Sequence, residues 1–201
     1  IHALMIAAAR EGRQVVRLKG GDPLLFGRVG EEMEALARAG IEFEVIPGVT
    51  SAMGAAAAAK IPLTDRRYAS KLIFVGNHSA GNVSPKWDDV VVKDATYAVY
   101  MPGKEYGEIA AKLLEGGLDV TTPCVIVGNA TQAGQEIRRT TLGELALEPR
   151  VGSPALLLIG EVARPLPRLK DNQEKDSWAL PEQQEVILNL GDSRIQEEII
   201  G

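Results

Sequence analysis

The chain opens with hydrophobic residues at helical spacing. In IHALMIAAAREGR, Ile1, Leu4, Met5 and Ala8 recur every three or four positions, which predicts a helix already under way at the first residue, with no capping residue before it. Gln14 to Lys19 carries the β-branched pair Val15 and Val16 and reads as a strand that runs straight into the turn GGDP. In GRVGEEMEALARAG, Val29, Met33, Leu36 and Ala37 share one face, the charges share the other, and Gly40 is a natural stop. Glu42 to Ile46 reads as a short strand closed by Pro47-Gly48. Thr50 or Ser51 then caps TSAMGAAAAAK, a helix of very small side chains suited to close packing. Helix, strand, helix, strand, helix predicts a parallel, doubly wound α/β layer.

The polar, turn-rich IPLTDRRYAS reads as a linker, and a second apolar series follows it. LIFVG (72–76), TYAVYM (96–101), CVIVG (124–128) and ALLLIG (155–160) are continuous runs, as expected of strands covered on both faces. KEYGEIAAKLLEGG aligns Tyr106, Ile109, Ala110, Leu113 and Leu114 as a helix that ends at Gly116 and Gly117. The expected organisation is an N-terminal α/β lobe over 1–65, a second α/β lobe over 66–164, and an acidic polar tail over 165–201. The tail reads as an appendage, partly disordered or docking through a short helix.

Composition narrows the function classes. With 201 residues, 45% of them hydrophobic, the chain can bury a real core. Its formal charge of −5 argues against broad binding to nucleic acid or an anionic membrane. No apolar run approaches membrane-spanning length and the start has no signal-peptide pattern. Cys124 is the single cysteine, so no internal disulfide forms; with His2 and His78 the only histidines, no metal site is expected. Together these features predict a cytoplasmic protein.

The chemistry sits in loops. Gly20 and Gly21 follow a predicted strand, where ligands of open α/β sheets bind, and Asp22 offers a carboxylate beside them. A plain β-turn with Asp22 bonded to its own backbone explains GGDP equally well. PGVTSA (47–52) and YMPGK (100–104) also lie between a strand and a helix. Three such loops converging on one crevice suggest a site, although helix caps alone account for each. Neither GxGxxG nor GxxxxGK followed by Ser or Thr is present, so nucleotide triphosphate and NAD readings lack their usual signature. Cys124, inside an apolar run, reads as a buried core thiol, and His78 as a surface-loop residue. Arg28, Arg66 and Arg67 are the best candidate anion contacts, although each taken singly reads first as a solvated surface arginine.

VVRLKGGDPLLFGR, EEMEALARAGIEFEVIPGVTSA, IPLTDRRYAS, VYM and SPALLLIGEV together resemble the uroporphyrinogen-III C-methyltransferases of the tetrapyrrole (corrin/porphyrin) methylase family. The resemblance runs in order from residue 1 to about residue 164. It implies a two-lobed α/β fold with S-adenosylmethionine in a cleft between the lobes, a tetrapyrrole substrate and a homodimer. It places Gly20, Gly21, Asp22, Leu25, Thr50, Ser51, Met101 and Ala130 at the cofactor, where relatives often carry Gly at the position of Ala130. Arg28 and Arg66 are assigned to the substrate's carboxylates. The chain departs from the family at its start. The family's first strand, its GxGPG-type loop and its proton-handling Asp and Lys belong upstream of Ile1, so the resemblance implies an N-terminally truncated copy with no catalytic residue assigned. Loss of a first strand is expected to expose a sheet edge or a central gap. The resemblance implies methylation of uroporphyrinogen III to precorrin-2, for sirohaem or cobalamin. The alternatives are a later precorrin as substrate, or an incompetent fragment that keeps part of the cofactor site.

Overall fold

In a computed structural model, the structure describes residues 1–77, 87 and 90–165, and the polar tail lies outside the described residues. The elements run α1 (His2–Arg10), α2 (Val29–Arg38), α3 (Ser51–Ala59), β1 (Lys71–Gly76), β2 (Ala95–Tyr100), α4 (Tyr106–Glu115), β3 (Pro123–Gly128), β4 (Glu136–Thr141) and β5 (Ala155–Ile159). These four helices fall within the segments that the sequence predicts as helical, α1, α2 and α4 by hydrophobic spacing and α3 by its run of small side chains. Gly40, at φ +70°, ends the turn after α2, and Gly117, at φ +92°, does the same after α4.

The strands form one five-stranded sheet in the order β1-β2-β5-β3-β4. The sheet is mixed: β1 and β2 are parallel, whereas β5 runs antiparallel to both β2 and β3, and β4 antiparallel to β3. The register pairs Gly76 with Tyr100, Tyr100 with Leu156, and Gly128 with Ala155. The carboxyl ends of β1, β2 and β3 therefore share one edge of the sheet.

Alternate residues of the central strands enter two cores, one on each face. Tyr97, Val99, Cys124, Ile126, Leu157 and Ile159 pack with Ile109 and Leu113 of α4. Ala98, Tyr100, Val125, Val127, Leu156 and Leu158 pack with Ala52, Ala55, Ala56 and Ala59 of α3. The alanine run gives α3 a methyl-only surface, which lets its backbone lie close over the sheet. The strand β4, EIRRTT, escapes the sequence reading because it is a charged edge strand paired on one side alone. On it, Arg139 donates to the carbonyls of Ala59 (2.6 Å) and Ala163 (3.3 Å), satisfying the end of α3.

The N-terminal third departs from the expected parallel layer. Residues 14–19 and 42–46 are not strands; none of them takes part in a backbone–backbone hydrogen bond among the described residues. The physical reason is the lack of a neighbour. A strand exists by its ladder, and these two segments instead line a cleft of about 890 Å³, together with Met5, Met33 and Leu36. The apolar face of α2 looks into this cleft. Val16, Leu18 and Ile46 are exposed beside it.

Candidate functional site

The GGDP loop and the PGVTSA loop are locked together. Asp22 Oδ1 accepts the Leu24 N–H at 2.8 Å, closing a local turn, while Oδ2 accepts the Gly48 N–H at 3.0 Å. The two backbones also touch. A Cβ on Gly48 would lie 2.3 Å from the carbonyl oxygen of Gly21, which itself has φ +73° and faces Ser51. Asp22 thus bonds its own backbone, as a plain turn requires, and ties two loops into one body as well.

The second loop is anchored to the sheet by Tyr100, the last residue of β2. Its hydroxyl lies 2.6 Å from Thr50 Oγ1 and accepts the Ala52 N–H at 3.1 Å. Thr50 occupies the position before α3 but makes no capping bond to it, contrary to the sequence reading. Its hydroxyl is taken by Tyr100, and Tyr100 serves the Ala52 N–H that a cap would have served. Phe26, at the end of the first loop, packs its ring on Tyr100 with centroids 4.8 Å apart. Gly76 makes room for that ring, since a Cβ there would approach it to 2.9 Å.

The third and fourth loops leave the same sheet edge. Met101 follows Tyr100 with φ +52° and is partly exposed; Asn129 and Thr131, at φ +48° and +64°, flank Ala130, which packs against the core on the α3 side of the sheet. Phe26 and Arg28 are left-handed too, at φ +52° and +54°. Of the seven non-glycine residues in this strained region among the described residues, five lie in these loops, the kind of backbone that functional sites keep. Leu25 packs on the same core, below the first loop.

The first loop is held from its other side by charge. Glu32 of α2 is buried and receives Lys19 at 3.0 Å and Arg17 at 3.3 Å. The hydrogen bond from Lys19 holds the Glu32 carboxyl below its usual range. Neither Lys19 nor Glu32 stood out in the sequence as a pair, because 13 residues separate them.

The structure thus brings Gly21, Asp22, Leu25, Thr50, Ser51, Met101 and Ala130 to the loops at one sheet edge, with Gly20 open to solvent at the head of the first. The two assigned arginines are engaged differently. Arg28 is exposed and bound through Nε and Nη2 to Glu31, at 2.9 and 2.7 Å, which raises its pKa. Arg66 is exposed on the turn closed by Asp65 and Ala69, and no bond joins it to these loops among the described residues. Its neighbour Arg67 pairs with Asp65 and holds that carboxyl at about 2. Cys124 is buried as expected, and burial pushes its thiol up to about 12. His78 lies outside the described residues. Sequence reasoning missed Tyr100, Phe26 and Gly48 as site builders. The available signal was the period-two alternation, which puts Tyr100 on the α3 face beside Ala98.

Among the described residues no helix is long and apolar enough to cross a membrane. The sequence profile of the tetrapyrrole (corrin/porphyrin) methylases matches residues 1–146. Siroheme synthase 1 of Yersinia enterocolitica is 45% identical over 161 residues, covering 79% of this chain and 34% of that protein. Siroheme synthase of Neisseria meningitidis serogroup C is 44% identical over 163 residues, 80% of this chain and 34% of that one. The chain thus spans about a third of the length of the curated relatives it matches. Among solved structures, uroporphyrin-III C-methyltransferase from Thermus thermophilus complexed with S-adenosyl homocysteine superposes with a TM-score of 0.74 at 37% identity, covering 81% of this chain and 70% of that one. A cobalt precorrin-4 methyltransferase gives 0.75 at 30% identity, covering 82% and 71%. The chain belongs to the tetrapyrrole methylases.

Proposed function

We propose that this chain carries part of an S-adenosylmethionine site and serves the C-methylation of uroporphyrinogen III to precorrin-2. The carrying observation is the meeting of the GGDP, PGVTSA and YMP loops at one sheet edge, tied by Asp22 to Gly48 and by Tyr100 to Thr50. The likeness to a uroporphyrin-III C-methyltransferase complexed with S-adenosyl homocysteine supports the cofactor. The residues fit such a group: Gly20 would direct a Cβ into open space, so its bare backbone is free to meet a ligand.

When bound, the cofactor would supply an electrophilic sulfonium methyl for transfer to an electron-rich pyrrole carbon. The chain's own work is to place that methyl. Gly20, Gly21, Asp22 and Leu25 form one wall, Thr50 and Ser51 a second, and Met101 and Ala130 a third, between lobes at 1–65 and 66–164. Arg28, once released from Glu31, and Arg66 hold substrate carboxylates. The working assembly is a cytoplasmic homodimer.

Incubation with S-adenosylmethionine and uroporphyrinogen III, followed by mass spectrometry, should give a dimethylated product. A later precorrin methylated in its place would move the substrate assignment within the family. The strand-like segments 14–19 and 42–46, unpaired with any strand among the described residues, favour a second reading, a chain that keeps part of the cofactor site without turnover. Binding of S-adenosylhomocysteine with no product from any precursor would select that reading.

A further inference from the structure

The contact between Tyr100 and Thr50 carries more than an anchor. Both residues are buried, with 8% and 7% of their surface exposed. The phenol oxygen already accepts the Ala52 N–H, and a phenol has one proton to give. Among the described residues, the acceptor within its reach is Thr50 Oγ1, at 2.6 Å. The opposite polarity, with Thr50 donating to Tyr100, would strand the phenol proton in a buried place. Either polarity leaves one buried hydroxyl proton over; with Ala52 N–H donating to Tyr100 and Tyr100 O–H donating to Thr50 it is left on Thr50, where an acceptor on a bound ligand would take it.

We infer that Tyr100 is a positioning residue that fixes Thr50 as a hydrogen-bond donor toward the bound S-adenosyl compound. With its oxygen already accepting from Tyr100, Thr50 has its own proton left to give, and the ligand group it selects is an acceptor. The phenol is held for this task from its other side. Phe26 lies on its ring, Phe74 meets it edge-on at 5.9 Å, and Gly76 leaves the space that Phe26 needs. This inference rests on the cofactor reading above.

Calorimetry with S-adenosylhomocysteine on the full chain tests it, using Tyr100→Phe, Thr50→Val, Thr50→Ser and the double variant Tyr100→Phe/Thr50→Val. Tyr100→Phe and Thr50→Val should each weaken binding roughly tenfold. Thr50→Ser, which keeps the hydroxyl, should bind like wild type. The double variant should be no weaker than Thr50→Val alone, because Tyr100 acts through Thr50. A merely structural tyrosine would lower the urea midpoint without this coupling. Losses that multiply in the double variant, or wild-type affinity in Tyr100→Phe, would overturn the inference. If Tyr100→Phe does not fold, the serine and valine variants still decide: equal weakening by both overturns it. Failure of the wild type to bind S-adenosylhomocysteine would instead remove the cofactor reading, and this inference with it.

Discussion

Asp22 Oδ2 accepts the backbone N–H of Gly48 at 3.0 Å, joining residues 26 apart in sequence. Because Oδ1 is held by Leu24, the carboxylate is oriented by both of its oxygens. The GGDP and PGVTSA loops therefore move as one piece, and any ligand that touches one is positioned by the other.

Asp22→Asn should show this coupling directly. The amide offers one acceptor where the carboxylate offers two, so either Leu24 or Gly48 loses its partner. We expect a loss of about 1–2 kcal/mol in urea unfolding, in the range of hydrogen bonds to a partly solvated charged group. Affinity for S-adenosylhomocysteine should fall alongside it, and more so in Asp22→Ala. An Asp22→Asn protein with unchanged midpoint and affinity would mean the tie is ornamental.

Two glycines separate what the fold needs from what the ligand needs. A methyl on Gly48 would drive into the Gly21 carbonyl, so Gly48→Ala should cost about 1–3 kcal/mol and spread the loops. A methyl on Gly20 meets nothing within 4 Å, and Gly20 is not in the left-handed region, so Gly20→Ala should leave the urea midpoint alone. The same variant should weaken S-adenosylhomocysteine binding, because the methyl occupies space the ligand would take. Calorimetry and unfolding on this pair decide it; Gly20→Ala with full affinity would place the ligand elsewhere.

Periodicity made the helices legible because their signal is local: four residues of spacing suffice to orient α2 or α4. The apolar runs of β1, β2, β3 and β5 were legible for the same reason, since burial on both faces needs no partner to be guessed. What failed was pairing. Val15 and Val16 look like strand residues, but a ladder requires a neighbour at about 4.8 Å and none is there. The charged β4 is a strand only because β3 offers it an edge. In the site, the loops were legible from their glycines and prolines, whereas Tyr100 took the Thr50 hydroxyl from across 50 residues of chain. No local pattern announces such a partner. Arg28 reads from the sequence as an anion contact or a solvated surface arginine; its partner in the fold is Glu31, one turn along α2.

Arg139 supplies a control that separates stability from binding. Its guanidinium meets the Ala59 carbonyl at the carboxyl end of α3, opposite the Thr50 end where the loops meet. Arg139→Ala should lower stability by about 1 kcal/mol, the size of a charge at a helix terminus with part of its surface wet. S-adenosylhomocysteine affinity, measured well below the unfolding midpoint, should stay at the wild-type value. A drop in affinity would mean that α3 transmits strain along its length to the loops.

Glu32 makes the fold sensitive to acid. Its carboxyl is held below the ordinary range, first by the hydrogen bond from Lys19, against the cost of its own burial. A carboxylate with a lowered folded-state pKa stabilises the native state fully above its unfolded value, and loses that contribution as pH falls through the folded value. Wild type should therefore lose stability as the pH falls below about 4.3, the unperturbed Glu value. In Glu32→Gln this loss should shrink, because the titrating group is gone. At neutral pH the variant should be less stable by about 1–3 kcal/mol, with Lys19 left partly buried beside an uncharged amide. Urea midpoints of both proteins across that pH range measure the difference. Parallel curves would show that Lys19 and Glu32 sit together without contributing to the fold, and the GGDP loop would then need another support on its α2 side.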